Sequence, residues 1–100
     1  DKNLTLPMVA KMFGRTHSQV SYVLNEHLNI SFTQYIKVLR IGYITNLLME
    51  NKLYRQYKVE NLAHECGMSS RQLFSTHFYE INGIRPIEFI KNRKKEIGEN

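Results

Sequence analysis

The sequence has one cysteine, two prolines and no tryptophan among its 100 residues. A single cysteine cannot form a disulfide within the chain, which excludes a disulfide-stabilised scaffold and is typical of a reducing compartment such as the cytoplasm. No apolar run approaches the roughly 20 residues that a membrane-spanning helix needs, so we expect no membrane contact by this segment. The composition, 42% hydrophobic and 23% charged, is that of one small globular unit.

Motifs of catalysis are also missing from the sequence. There is no glycine-rich phosphate loop, no paired-carboxylate motif and no nucleophile elbow. His64 and Cys66 lie two positions apart in a predicted helix, so their side chains point in different directions and do not make a metal site. We therefore predict that the chain is not an enzyme and that it uses no metal or other cofactor.

Basic residues exceed acidic ones and lie in two clusters. Fourteen Lys and Arg against nine Asp and Glu give a net charge of +5. One cluster is Lys52, Arg55 and Lys58, and the other occupies residues 85–95. Such clusters favour an anionic partner, but they are equally typical of basic faces that only contact solvent.

The spacing of apolar residues predicts an all-α fold. Apolar positions recur every three or four residues, and no long alternating run argues for a sheet. Six helices are predicted: 7–13, 17–28, a long helix after Ser31 or Thr33 to Glu50, 59–66, one capped by Ser69 or Ser70, and one from Pro86. Residues predicted to face inward are Val20, Val23, Leu24, Leu28, Ile36, Leu39, Tyr43, Ile44, Leu47, Leu48, Leu73, Phe74, Phe78, Ile81, Phe89 and Ile90.

The second half of the chain repeats the first. The matching pairs include Ala10 with Ala63, Gly14 with Gly67, Thr16 with Ser69, Ser21 with Ser75, Tyr35 with Phe89 and Lys37 with Lys91. In each half a small residue is followed four positions later by a glycine that can end a helix, and then by a capped second helix. This order predicts a helix-turn-helix in 1–31 and another in 52–100, joined by a bridging helix over 32–51, as one DNA-binding unit.

The repeat and the residues around it follow one ordered pattern: Ala10, Gly14, Thr16, Val20, Leu24, Phe32, Tyr35, Arg40, Leu47 and Leu48, then Val59, Leu62, Ala63, Gly67, Met68, Phe74, Phe78, Gly83, Ile84, Pro86 and Phe89. In these residues the chain resembles the DNA-binding domain of AraC/XylS-type transcription regulators. The resemblance implies two homeodomain-like helix-turn-helix subdomains that read successive major grooves of double-stranded DNA. It further implies a bacterial-type regulator that contacts RNA polymerase and has a sensing or dimerisation region absent from this chain, which we therefore expect to be part of a longer protein.

The resemblance also implies which side chains reach DNA. The expected base contacts are Ser18, Ser21, Tyr22, Arg71, Gln72, Ser75 and Thr76. Arg71 can bind guanine and Gln72 can bind adenine, whereas the second predicted helix, which would read DNA in the first unit, contains no arginine, so we expect more direct base readout from the second unit. The expected phosphate contacts are Arg15, Lys37, Arg55, Lys58, Arg85 and Lys91.

Two further arginines are assigned other roles. Arg40, inside the long helix, is expected to form structural hydrogen bonds, and Arg93 in the basic C-terminal stretch is expected to be solvated. The alternative to DNA binding that the sequence leaves open is a helical protein-interaction module whose basic faces contact only solvent.

Overall fold

A computed structural model describes Tyr22, which is helical, and residues 31–99. Residues 31–99 contain four α-helices and no strand, which confirms the all-α prediction. The helices are α1 (Phe32–Glu50), α2 (Val59–Glu65), α3 (Arg71–Asn82) and α4 (Pro86–Glu96), with a 3-10 turn at Tyr54–Gln56. The predicted long helix corresponds to α1. Apart from Tyr22 and Ser31, the predicted first helix-turn-helix lies outside the described residues.

The starts of three helices follow from local chemistry. The Ser31 hydroxyl accepts a hydrogen bond from the Gln34 amide at 3.1 Å, and the Ser70 hydroxyl accepts one from the Leu73 amide at the same distance. Each bond satisfies an amide that has no partner inside its helix. Pro86 occupies the first turn of α4, where its missing N–H costs nothing. Of the caps that the sequence left open, the structure selects Ser31 and Ser70.

Left-handed glycines end α2 and α4 in the same way. Gly67 has φ of 88°, and the Met68 amide donates to the Ala63 carbonyl at 2.8 Å. Gly98 has φ of 73°, and the Glu99 amide donates to the Lys94 carbonyl at 2.7 Å. Both are Schellman motifs, which reverse the chain direction after a helix. The first sets the turn before α3, and the second returns Glu99 towards the body of the domain.

The core lies between the C-terminal half of α1 and the other three helices. Its fully buried side chains are Ile41, Ile44, Leu48, Leu62, Cys66, Phe74 and Phe78. The Phe78 ring packs edge-on against Phe89 of α4, with 5.5 Å between centroids. Aromatic pairs in this arrangement add to the free energy gained by burial. The two phenylalanines of α3 therefore fix the orientation of that helix against α1 and α4.

Some predicted inward positions are wrong. Tyr43 is 42% exposed, while Ile41, which the prediction omitted, is fully buried. Apolar residues occupy two adjacent stripes of α1, and periodicity alone does not decide which stripe meets the second unit. Leu73 is 49% exposed, whereas Phe74, rotated by about 100° around the same helix, is fully buried.

None of the helices in residues 31–99 combines the length and apolar character needed to cross a membrane.

Candidate nucleic-acid interface

Helices α2 and α3 with the turn of residues 66–70 form a helix-turn-helix. One side of α3 is fixed in the core by Phe74 and Phe78. The other side exposes Arg71, Gln72 and Thr76, with Ser75 half-buried beside them. The four predicted base-contact residues of this unit thus lie together on the first turns of α3. We call the exposed side formed by Arg71, Gln72, Ser75 and Thr76 the recognition face.

Of the predicted DNA contacts in the first unit, the structure describes only Tyr22. Tyr22 is 61% exposed. Ser18, Ser21 and Arg15 lie outside the described residues.

Three predicted phosphate contacts are exposed around this helix-turn-helix. Lys58 immediately precedes α2, Arg85 immediately precedes α4, and Lys91 lies on α4. Among residues 31–99, none of the three forms an ion pair with a carboxylate. Their positive charges are therefore available to a phosphate.

Lys37, a fourth predicted phosphate contact, is less exposed than these three and forms an ion pair with Glu80. Its Nζ lies 2.9 Å from the Glu80 carboxylate, which joins α1 to α3. The hydrogen bond from Lys37 lowers the pKa of Glu80, and burial together with the Lys37 charge lowers the pKa of His77. A phosphate would have to compete with Glu80 for this lysine.

The prediction that Arg55 contacts a phosphate is wrong, because this arginine is buried. Its residue surface is only 5% exposed, and its Nη1 donates to the Leu48 carbonyl at 2.8 Å and to the Met49 carbonyl at 3.1 Å. Its Nε donates to the Glu99 carboxylate at 2.9 Å, and Nη2 pairs with the same group. The guanidinium therefore neutralises the C-terminal end of α1 and binds the returning chain end, and no face of it remains for DNA.

Arg93 and Arg40 also bind backbone carbonyls. Arg93 was predicted to be solvated, but its Nε donates to the Met49 carbonyl at 3.1 Å and its Nη1 lies 3.5 Å from Glu96. Arg40 Nη1 donates to the Gly67 carbonyl at 3.4 Å, in agreement with its predicted structural role. We call Arg55, Arg93 and Glu99 the C-terminal clasp, because together they join the end of α1 to α4.

Tyr79 is not among the predicted DNA contacts, but it lies beside one of them. Its ring lies under the Arg85 guanidinium, 4.7 Å from the guanidinium carbon, and it is 48% exposed. Arg85 Nη1 also lies 3.4 Å from the Ser75 hydroxyl. The spacing of four between Ser75 and Tyr79 could have suggested one stripe on α3, but nothing in it indicated that Arg85 would lie along that stripe.

The cysteine belongs to the core. Cys66 is completely buried, its thiol donates to the Ala63 carbonyl at 3.4 Å, and burial raises its pKa to about 11. Such a thiol is a poor nucleophile. Within the described part of the chain, no group of three or more His, Cys, Asp or Glu residues is placed to hold a metal ion.

Comparison with solved structures shows the fold. The C-terminal domain of AraT, a response regulator from Geobacillus stearothermophilus, has a TM-score of 0.64 at 23% identity, covering 92% of this chain and 73% of that one. A transcriptional regulator from Chromobacterium violaceum with an AraC-type DNA-binding domain gives 0.70 at 22%, covering 90% and 77%. A DNA-binding transcriptional dual regulator from Escherichia coli K-12 gives 0.69 at 20%, covering 93% and 79%.

Comparison at the level of sequence gives the family. No curated protein sequence matches the chain significantly. A family model described as "Helix-turn-helix domain" matches residues 9–92, which is most of the chain. With that match and the shared fold, the chain belongs to the AraC-type helix-turn-helix family of DNA-binding transcription-regulator domains.

Proposed function

We propose that this chain binds a specific sequence of double-stranded DNA through two helix-turn-helix units in successive major grooves, and so regulates transcription. The observation that carries the proposal is the recognition face of α3. Phe74 and Phe78 are fully buried behind it, while Arg71, Gln72 and Thr76 project from its first turns. A helix held in this way can enter a major groove with its polar side chains towards the base edges.

The chemistry of the recognition face suits direct readout. Arg71 can donate two hydrogen bonds to guanine O6 and N7, and Gln72 can pair with adenine N6 and N7. Ser75 and Thr76 can contact either kind of base. In the first unit, Ser18, Ser21 and Tyr22 would supply shape-dependent or water-mediated contacts, because none of these side chains can donate two hydrogen bonds to one base as arginine does.

Contacts to the DNA backbone would hold the recognition face in register. Lys58, Arg85 and Lys91 surround the second helix-turn-helix without carboxylate partners among residues 31–99. The Arg85 side chain does not cap α4, so the first N–H groups of that helix remain as hydrogen-bond donors for a phosphate. Lys37 would join the set by exchanging Glu80 for a phosphate, and Arg15 would contribute from the first unit.

The long helix sets the distance between the two proposed units. The 19 residues of α1 span about 28 Å at 1.5 Å per residue, which approaches the roughly 34 Å of one DNA turn. Because both units run in the same direction along one chain, the site that they read would be asymmetric. The proposed organisation is therefore a first unit over 1–31, a bridge over 32–51 and a second unit over 52–100.

The family resemblance also supports RNA polymerase as a protein partner of the DNA-bound chain. A transcription assay with purified polymerase and a template that carries the selected site would test it. Activation or repression that is lost with the site is the expected result. DNA binding without any effect on transcript level would contradict it.

The test of the proposed function is selection of random duplex DNA by the purified protein, followed by sequencing, over a series of salt concentrations. We expect one asymmetric motif with two blocks about ten base pairs apart and a binding constant that falls steeply with salt. Arg71→Ala should relax preference at one base pair by about 1–3 kcal/mol. Lys95→Ala, an exposed lysine near the end of α4, is the matched control and should leave the preference unchanged.

Two outcomes would contradict the proposal in different ways. Salt-dependent binding without an enriched motif would remove sequence-specific recognition. Absence of duplex binding, with salt-insensitive capture of a protein partner, would favour the interaction module that the sequence left open.

A further inference from the structure

Arg85, Tyr79 and Ser75 form a contact that links the start of α4 to the outer side of α3. The guanidinium stacks on the Tyr79 ring, with 4.7 Å from its carbon to the ring centroid, and Nη1 lies 3.4 Å from Ser75 Oγ. Ser75 and Tyr79 are separated by one helical turn, so the arginine lies along a single stripe of α3. Two independent contacts thus restrict a side chain that would otherwise have many rotamers.

The partners of Arg85 differ from those of the other arginines whose contacts are defined. Arg55 and Arg93 bind carboxylates and backbone carbonyls. Arg85 contacts a neutral ring and a neutral hydroxyl, and no carboxylate among residues 31–99 pairs with it. Stacking on a ring leaves the edge of a guanidinium, where its N–H donors lie, open to a further acceptor.

We infer that Tyr79 and Ser75 are positioning residues that hold Arg85 as a clamp for one backbone phosphate at the edge of the recognition face. The inference rests on the proposed function and replaces one assignment made there: Ser75 holds Arg85 and does not contact a base, so base readout by the recognition face falls to Arg71, Gln72 and Thr76. It also gives Tyr79 a role in affinity without a base contact.

The position of Arg85 is the reason for choosing a phosphate over a base edge. Arg85 lies outside α3, in the connection to α4, and it reaches the helix from the side at Ser75 and Tyr79. The first turn of α3, which begins at Arg71, is the part that a helix-turn-helix directs at the bases. A planar guanidinium beside that helix has the geometry for bidentate contact with a phosphate.

The test is a double-mutant cycle of Tyr79→Ala and Arg85→Ala, measured by DNA binding against salt concentration on a preferred and a scrambled duplex. Arg85→Ala should weaken both duplexes by the same factor and lower the slope of log K against log salt by about 0.9, the value for one phosphate. Tyr79→Ala should weaken binding roughly two- to fivefold, the range for an exposed cation–π contact. In the Arg85→Ala background it should have no further effect.

Conservative variants distinguish positioning from simple loss of structure. Tyr79→Phe keeps the ring and should bind as the unaltered protein does. Ser75→Ala should weaken both duplexes by less than Tyr79→Ala and should leave base preference unchanged. Neither side chain belongs to the core, so circular dichroism should show that every variant is fully folded at the temperature of the binding assay.

The outcomes separate the clamp from the proposed function. A change of base preference in Arg85→Ala or Ser75→Ala would overturn the phosphate assignment. Equal effects of Tyr79→Ala with and without Arg85, or a defect in Tyr79→Phe, would overturn the positioning role. If the unaltered protein bound no duplex, the proposed function would fall and the clamp with it.

Discussion

Arg55 and Arg85 both lie in basic stretches that the sequence assigned to phosphate binding, and the structure gives them opposite surroundings. Arg55 is buried between the last carbonyls of α1 and the Glu99 carboxylate. Arg85 is exposed, stacked on a tyrosine, and without a carboxylate partner among the described residues. The difference shows that the surroundings of a basic side chain, rather than the local density of charge, decide whether it stabilises the fold or remains available to a ligand.

The largest expected effect separates these two arginines by stability. Arg55→Met removes a buried charge that Glu99 and two carbonyls need, so we expect the free energy of unfolding to fall by about 3 kcal/mol. Arg85→Ala should change it by less than about 0.5 kcal/mol, as surface substitutions usually do. Urea denaturation of both variants measures the difference. Equal losses would show that Arg55 does not have the structural role assigned here.

A smaller effect is expected at the start of α3, where stability comes from a local hydrogen bond and not from an ion pair. Ser70→Ala removes the acceptor for the Leu73 amide and should cost about 1 kcal/mol. Ser69→Ala is the matched control, because Ser69 is also exposed and does not cap α3; it should be neutral. The difference between the free energies of unfolding of the two variants should be the same at low salt as at high salt. A difference that disappears in salt would mean that the cap acts through charge.

The smallest expected effect is the part of the pH dependence of stability that the C-terminal clasp contributes. The hydrogen bond from Arg55 holds the pKa of Glu99 below its ordinary value of 4.5. A lowered folded-state pKa adds stability that is complete above about pH 5 and is lost as the pH falls through the folded pKa. Glu99→Gln should therefore reduce the acid sensitivity of the melting temperature. Glu80, whose pKa Lys37 also lowers, is present in both proteins and cancels in the comparison.

The melting temperatures of the unaltered protein and of Glu99→Gln should be compared from about pH 3 to about pH 7, a range that includes the ordinary pKa of a glutamate. Identical melting temperatures at every pH would refute the contribution of the clasp to stability.

Features set by neighbouring residues could be predicted from the sequence. Ser31, Ser70, Gly67 and Pro86 mark helix ends because their effects reach only the adjacent turn. The burial of Phe74 and Phe78 followed from spacing within one helix. The recognition face could therefore be predicted from the sequence, since it is the side of α3 opposite the side that packs in the core.

Features that depend on distant residues could not be predicted. Arg55 meets Glu99 across 44 positions, and Arg93 meets Met49 across the same separation. Nothing local indicates such pairs, since any of several exposed acids could have been the partner. The choice of Ile41 over Tyr43 has the same origin, because it depends on the direction from which the second unit approaches α1.

The way the second unit holds α1 limits how the protein can follow DNA of variable twist. The helix is joined to that unit at Arg40 by Gly67, at Thr45 by Asn82 and at Met49 by Arg93. Between Arg40 and Met49 it cannot bend without breaking one of these contacts. Any tolerance for a longer or shorter gap between the two proposed half-sites would therefore reside in the chain before Arg40, and the second unit would dock as a rigid block.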